Sequence, residues 1–434
     1  MAVWLAAPRP AAAQERWAPP DSALLRQARE LLESAPLIDG HNDLPSRLLE
    51  LYGGAVDSVD FAGRQPRLPA DLPRLRAGRV GAQFWAANPR IDPALGAAAL
   101  RNGLQGVDVV HRLVARYPDL ELARTADDIE RITRSGKIAC LIAMEGGHAI
   151  ASSLAALRAL YALDVRYLTL THDRTTDWAD ASTDFPRHQG LTPFGREVVL
   201  EMNRLGMFVD LSHTSDETAE EVLRISRAPV LFSHSNARSV NPHPRNLPDR
   251  LLRMVAGNGG VVMVNFVAGY VAPTARPWAE WCRARGEPGC APTGRGIDEP
   301  LWSVRRDSVA QAARLAGRSE KDAVAEWTGR NPAPRGTVAD VADHIDHIRR
   351  VAGIDHVGIG SDFFDPGGPS MAAGLEDAGA FPNLFAELLR RGYSKEDLRK
   401  IAGQNLLRAM RQMEAVARRL QASEPPRLDV AVTP

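Results

Sequence analysis

Ile138-Ala139-Cys140-Leu141-Ile142-Ala143-Met144-Glu145 is an unbroken apolar run that stops on a carboxylate. A strand covered on one face alone would alternate polar and apolar residues, so a continuous run reads as a strand buried on both faces, as in a parallel sheet. Similar runs recur on both sides of it: Pro36 to Gly40, Val80 to Ala86, Val165 to Thr171, Met207 to Ser212, Pro229 to Ser233, Gly260 to Phe266 and His356 to Ser361. Helical patterns separate them, opened by capping signals at Asp21, Thr125, Ser215 and Thr337. Eight strands alternating with helices match an α/β fold of the (β/α)8 TIM-barrel type.

The expected organisation is a tail or remnant signal segment over residues 1–20, one barrel over 21–420 and a C-terminal tail over 421–434. Between the seventh and eighth runs, about 271–336, the chain is far longer than a crossover needs and is expected to be an insertion. Trp278, Trp281, Trp302 and Trp327 mark it as a packed subdomain or an oligomer contact. Phe381 to Leu420 reads as two helices around Gly392.

Composition excludes several classes. Lys and Arg (53) balance Asp and Glu (53), which leaves no basic field for a nucleic acid. No apolar run approaches the roughly 20 residues of a transmembrane helix. Cys140, Cys282 and Cys290 match neither a zinc ribbon nor a redox pair; Cys140 reads as a buried apolar residue, and Cys282 and Cys290 are close enough to bridge in an oxidising compartment. The Ala-rich stretch Ala11 to Ala13 resembles a signal-peptidase site but has no basic region before it. A periplasmic or secreted location is expected if this is a leader remnant, and a cytoplasmic one if it is a plain Ala/Pro tail.

The chemistry lies at the ends of the runs. Glu145 ends one, His172, His213, His234 and Asp362 end four others, and His41 with Asp43 follow the first. A lone His in an apolar strand is usually a satisfied core imidazole, and a lone His-x-Asp is usually a turn. Neither explains the repetition. In a TIM barrel the carboxyl ends of the strands converge on one face, so residues remote in sequence meet there. Charge buried there is costly unless paired or bound to metal. Imidazole and carboxylate without thiolate suit Zn2+, with Mn2+ or Co2+ as substitutes. Two such ions, with Glu145 able to bridge them, activate a water without a nucleophilic Ser or Cys. Neither a Gly-x-Ser-x-Gly elbow nor a phosphate-binding Gly-rich loop is present.

Leu37-Ile-Asp-Gly-His-Asn-Asp-Leu-Pro45, Gly81-Ala-Gln-Phe-Trp85, Glu145-Gly-Gly-His148 and Tyr167-Leu-Thr-Leu-Thr-His172 make the chain resemble the membrane dipeptidase (renal dipeptidase) family of amidohydrolase-type metal barrels. Asp210-Leu-Ser-His213, Ser233-His-Ser235, Arg245-Asn-Leu-Pro-Asp249, Gly360-Ser-Asp-Phe363, Gly374-Leu-Glu-Asp377 and Asn405-Leu-Leu-Arg408 extend the match nearly to the end. The resemblance implies a binuclear zinc dipeptidase, expected as a homodimer, with His41 and Asp43 on one ion, His213 and His234 on the other and Glu145 between them. It implies hydrolysis of dipeptides by a metal-bridged hydroxide, with acceptance of D-residues at the C-terminal position left open. His172 would contact the substrate and steady the oxyanion, Asp362 would shuttle the proton, and Arg245 would bind the substrate carboxylate. Tyr270 is a further candidate for the substrate pocket.

Two departures bear on specificity: Asp362-Phe-Phe-Asp365 moves a second carboxylate by one position, and Asp173-Arg-Thr-Thr-Asp-Trp178 adds charge near the expected mouth. Two alternatives remain open: a related hydrolase acting on N-acyl-amino acids, lactones or β-lactams, and a barrel that binds without turnover.

Overall fold

A computed structural model describes residues 17–89, 98–272, 309–330, 335–364 and 370–429. Most of the expected insertion, with Trp278, Trp281, Trp302, Cys282 and Cys290, lies outside the described residues, as do residues 1–16 and Asp365. Within the described part of 271–336, Glu320–Arg330 is a helix that carries Trp327.

Among the described residues nine strands form one parallel sheet: β1 (Leu37–Asn42), β2 (Val80–Ala87), β3 (Leu120–Leu122), β4 (Ile138–Glu145), β5 (Val165–Thr169), β6 (Phe208–Asp210), β7 (Leu231–Phe232), β8 (Val261–Val264) and β9 (Val357–Ile359). The expected run at Ile138 lies beside β2, paired from Ala82↔Ala139 to Ala87↔Met144, and this pairing closes eight of the strands into a barrel. β3 was not expected. It pairs with β4 from Leu120↔Ile138 to Leu122↔Cys140, and three residues with a Glu at the centre carry no apolar run to betray a strand.

The continuous apolar runs are sorted residue by residue between two faces. Along β4, Ala139, Leu141 and Ala143 join Ala82, Phe84, Tyr167, Phe208, Leu231 and Met263 in one cluster, while Ile138, Cys140, Ile142 and Met144 pack with the surrounding helices in another. Both faces are therefore dry, which is why the strands show no polar alternation. The first cluster continues onto Leu406, Ala409, Met410 and Met413 of the helix Asn405–Ser423.

The capping signals form as expected. The Asp21 carboxylate accepts from the amides of Ala23 and Leu24, and Thr125 forms a reciprocal box with Asp128. Ser215 caps the helix Asp216–Ile225, and Thr337 stands at the N-cap of Val338–Ala352, where its amide and hydroxyl both donate to the Asp340 carboxylate. Gly392, at φ +83°, follows the helix Phe381–Arg390. The expected second helix beyond it is interrupted by a wider π turn at Lys400–Gln404, between Lys395–Arg399 and Asn405–Ser423. No described helix is long and apolar enough to cross a membrane.

Close approach of strand ends needs a missing side chain at one position above all. A Cβ on Gly360 would stand 1.7 Å from the carbonyl oxygen of Ser233, backbone that cannot swing aside. Gly360→Ala should cost about 3 kcal/mol or more, at the upper end of overpacking effects, and should displace the turn that carries His234. Thermal or denaturant unfolding reads the first effect, and an unchanged midpoint would contradict the crowding.

Candidate metal centre

The loops beyond the strand ends bring the expected residues together. Glu145, the last residue of β4, has one carboxylate oxygen, Oε1, surrounded by imidazoles. It lies 3.3 Å from Nε2 of His41, 3.2 Å from Nε2 of His213, 3.4 Å from Nε2 of His234 and 3.6 Å from Nε2 of His172. His41 Nε2 is in turn 3.8 Å from Asp43 Oδ1. Ligand atoms fall within 4.8 Å of one another in three groups: His41 with Glu145 and His234, Glu145 with His172 and His213, and His41 with Asp43 and Asp362.

These spacings fit an ion better than they fit hydrogen bonds. Nε2 of His41 and of His234 is buried with no hydrogen-bond partner among the described residues. Two ligand atoms each about 2.0–2.1 Å from a tetrahedral zinc stand about 3.4 Å apart, which is the spacing found around Glu145. The donor set is imidazole and carboxylate only, as borderline divalent ions prefer.

The far sides of the rings decide which nitrogen faces the centre. Tyr167 donates its hydroxyl hydrogen to the carbonyl of Gly40 (3.1 Å), so the oxygen is free to accept from Nδ1 of His41 at 2.7 Å. Ser233 donates to the Asp210 carboxylate (2.7 Å) and accepts from Nδ1 of His234 at 2.8 Å. Burial works against charge on His41, yet Tyr167, Glu145 and Asp43 hold its imidazole well above its ordinary pKa; in the neutral form that binds a metal, each ring carries its proton on Nδ1 and turns the lone pair of Nε2 inward. Burial, reinforced by His41 and Arg245, holds the His234 imidazole well below its ordinary pKa, and burial with Arg245 and His172 lowers that of His213.

Two buried carboxylates brace the strands beneath these rings. Asp39 accepts from the backbone amide (2.7 Å) and hydroxyl (2.6 Å) of Ser361 and from the side-chain amide of Gln83 (2.9 Å), joining β1, β2 and the end of β9. Asp210 accepts from Thr169 Oγ1 (2.6 Å) and from the amide of Ser233 (2.8 Å), joining the ends of β5, β6 and β7. Local backbone is bent to the same end. His213 and Asp362 have φ of +69° and +60°, a region that non-glycine residues enter only when their surroundings compel it. The compulsion is visible: Ser182 donates to the carbonyl of His213 at 2.7 Å, and the amide of Asp362 donates to the carbonyl of His41 at 3.1 Å. Asp43 occupies the N-cap position of the helix Leu44–Tyr52, yet its side chain makes no capping bond.

Arg245 is buried under the turn of His234, with Nη2 3.4 Å from that residue's carbonyl and its guanidinium 5.3 Å from the centre of the Tyr270 ring. Its Nε is buried without a hydrogen-bond partner among the described residues, an unspent donor beside the centre.

Residues not singled out from the sequence also reach the site. Asn88, just past β2, directs its amide to Glu145 Oε2 at 3.2 Å and lies 3.4 Å from Nε2 of His172. Tyr167, Ser233, Asp39 and Asp210 sit inside motifs noted above, but nothing in their spacing marks them as braces. Asp173, expected to add charge near the mouth, directs its partly exposed carboxylate toward His172 and His213.

An eight-stranded parallel barrel with imidazoles and carboxylates gathered at the carboxyl ends of its strands is the framework of a metal-dependent hydrolase. Residues 25–424 match the family described as Membrane dipeptidase (Peptidase family M19), and the chain belongs to that family. It is 39% identical over 407 residues to Dipeptidase 3 of Homo sapiens, covering 92% of this chain and 69% of that protein. Dipeptidase verJ of Clonostachys rogersoniana is 39% identical over 409 residues, covering 92% and 89%. Among solved structures, the probable dipeptidase PvdM from Pseudomonas aeruginosa aligns with a TM-score of 0.74 at 26% identity, over 91% of this chain and 99% of that one. A metallo peptidase from Rhodobacter sphaeroides, liganded with a phosphinate mimic of the dipeptide L-Ala-D-Ala, aligns with a TM-score of 0.67 at 25% identity, over 87% and 99%.

The Asp362 carboxyl is pushed up to about 7; burial is the largest cause, His41 opposes it, and the Asp43 and Glu145 carboxylates add to it. A raised pKa means that the metal-free protein keeps this proton below neutrality, and nearby cations expel it. Zinc titrated into metal-free protein at about pH 6 should release about one proton more from the wild type than from Asp362→Asn, and the difference should vanish near pH 8.5. Calorimetry in buffers of different ionisation enthalpy measures this; a difference that persists at the higher pH would show that Asp362 is not the source.

Proposed function

We propose that the protein is a binuclear zinc dipeptidase in which His41 and Asp43 hold one ion, His213 and His234 hold the other, and Glu145 bridges them. The observation that carries this reading is the ring of imidazole nitrogens at 3.2 to 3.6 Å around one oxygen of Glu145. Family membership supports the reaction class. Mn2+ or Co2+ would suit the same donors.

When bound, the ions supply a water acidified toward neutrality and polarise the scissile carbonyl. The remaining work belongs to the chain. Arg245 offers the buried, unspent Nε–H and the rest of its planar fork to the C-terminal carboxylate of the dipeptide, and the Tyr270 ring against it limits where that fork can lie. His172, carrying a proton on each ring nitrogen, donates from Nε2 to the oxygen on which charge develops, and Asn88 lies within reach of the same nitrogen. Asp362 takes a proton from the attacking water and returns it to the departing amine. We extend the substrate range to dipeptides with a D-residue at the C-terminal position, a reading supported by the L-Ala-D-Ala mimic held by the Rhodobacter sphaeroides relative.

Purified protein should contain about two zinc equivalents and cleave L,L and L,D dipeptides; inert, metal-free protein that stays inert when zinc is added would sink the proposal. Asp362→Asn should lower kcat by about 100-fold or more with both ions retained, and loss of an ion would make Asp362 a ligand instead. Arg245→Ala should raise KM for free dipeptides by about 100-fold while sparing substrates without an α-carboxylate. Equal losses on both substrate types would favour hydrolysis of N-acyl-amino acids, lactones or β-lactams.

A further inference from the structure

The loop after β5 carries a carboxylate that the mechanism leaves unused. Asp173 places Oδ1 3.3 Å from Nδ1 of His213 and Oδ2 3.6 Å from Nδ1 of His172. The two rings stack with centroids 4.3 Å apart and 20° between their planes. Their opposite nitrogens both face Glu145 Oε1. One carboxylate therefore stands behind two rings whose front nitrogens look into the same centre.

The other two imidazoles of the centre have their backs held by Tyr167 and by Ser233. Nδ1 of His213 and Nδ1 of His172 are buried and make no hydrogen bond of ordinary geometry among the described residues, so Asp173 faces the two nitrogens that lack such a brace. Its loop is stitched to the turn it would serve. Thr183 Oγ1 donates to the carbonyl of Asp173 (3.1 Å), the amide of Thr175 donates to the Asp184 carboxylate (2.9 Å), and Ala181 bridges to Thr214 beside His213.

We propose that Asp173 is a positioning residue that fixes His213 with its proton on Nδ1 and its Nε2 lone pair toward the metal centre, and that holds the ring of His172 in the same act. This rests on the binuclear reading above. A carboxylate behind a ligand imidazole orients the ring and strengthens it as a donor. Sharing that carboxylate couples the ligand His213 to the substrate-facing His172, so a change at Asp173 should disturb both ion affinity and turnover.

The test compares full-length wild type, Asp173→Ala and Asp173→Asn by Co2+ titration against a competing chelator, with the visible spectrum of the bound Co2+ as second readout. Asp173→Ala should weaken one of the two ions by about 10–100-fold, leave the other near its wild-type affinity, and shift the spectrum. Asp173→Asn keeps an acceptor oxygen but no charge, and should recover part of that loss while remaining at least about threefold weaker than wild type. Wild-type affinity and spectrum in either variant overturn the proposal, and the Asn variant alone decides it if the Ala variant does not fold. A wild-type protein that takes up no Co2+ would overturn the metal-centre reading itself, which separates the two failures.

Discussion

Everything at the carboxyl end of this barrel is arranged around one difficulty, a carboxylate buried among imidazoles. Burial alone would push the Glu145 carboxyl up, yet His41, His172 and His213 hold it well below its ordinary range. An anion kept in so dry a place is tolerable only beside compensating charge. The rings must therefore stay close, and the architecture behind them ensures that they do.

That architecture works in two tiers. Hydrogen bonds donated to Tyr167 and Ser233 choose which nitrogen of His41 and His234 faces inward. Beneath them, Asp39 and Asp210 tie neighbouring strand ends together so that the rings are carried on backbone that cannot spread. Left-handed backbone at His213 and Asp362 belongs to the same economy of constraint, because surrounding hydrogen bonds hold conformations that the residues would not choose alone. Rigid placement of this kind allows a site to favour a transition state without reorganising during the reaction.

Much of this was legible in the amino-acid sequence because its strongest signals are local. An apolar run such as Ile138 to Met144 declares a doubly buried strand, and the ionisable residue that follows declares where burial ends. Capping at Asp21, Thr125, Ser215 and Thr337 is likewise a matter of three or four adjacent residues. Leu120–Leu122 was illegible for the complementary reason, since three residues with a central Glu become a strand only when Ile138–Cys140 lies alongside. The rings that Asp173 faces were not legible, because charge adjacent to a site residue says nothing about the direction in which a loop turns.

The sequence by itself determined the order of the eight barrel strands, the chemical types gathered at the strand ends, and the resemblance that names the family. Which ring nitrogen faces the centre, which residues brace the rings, and which rings Asp173 faces were decided by the tertiary structure alone. The physical reason is range. Strand burial and helix capping are settled between neighbours in the chain, whereas Tyr167 behind His41 and Asn88 beside Glu145 join positions 126 and 57 residues apart, brought together only when the barrel closes.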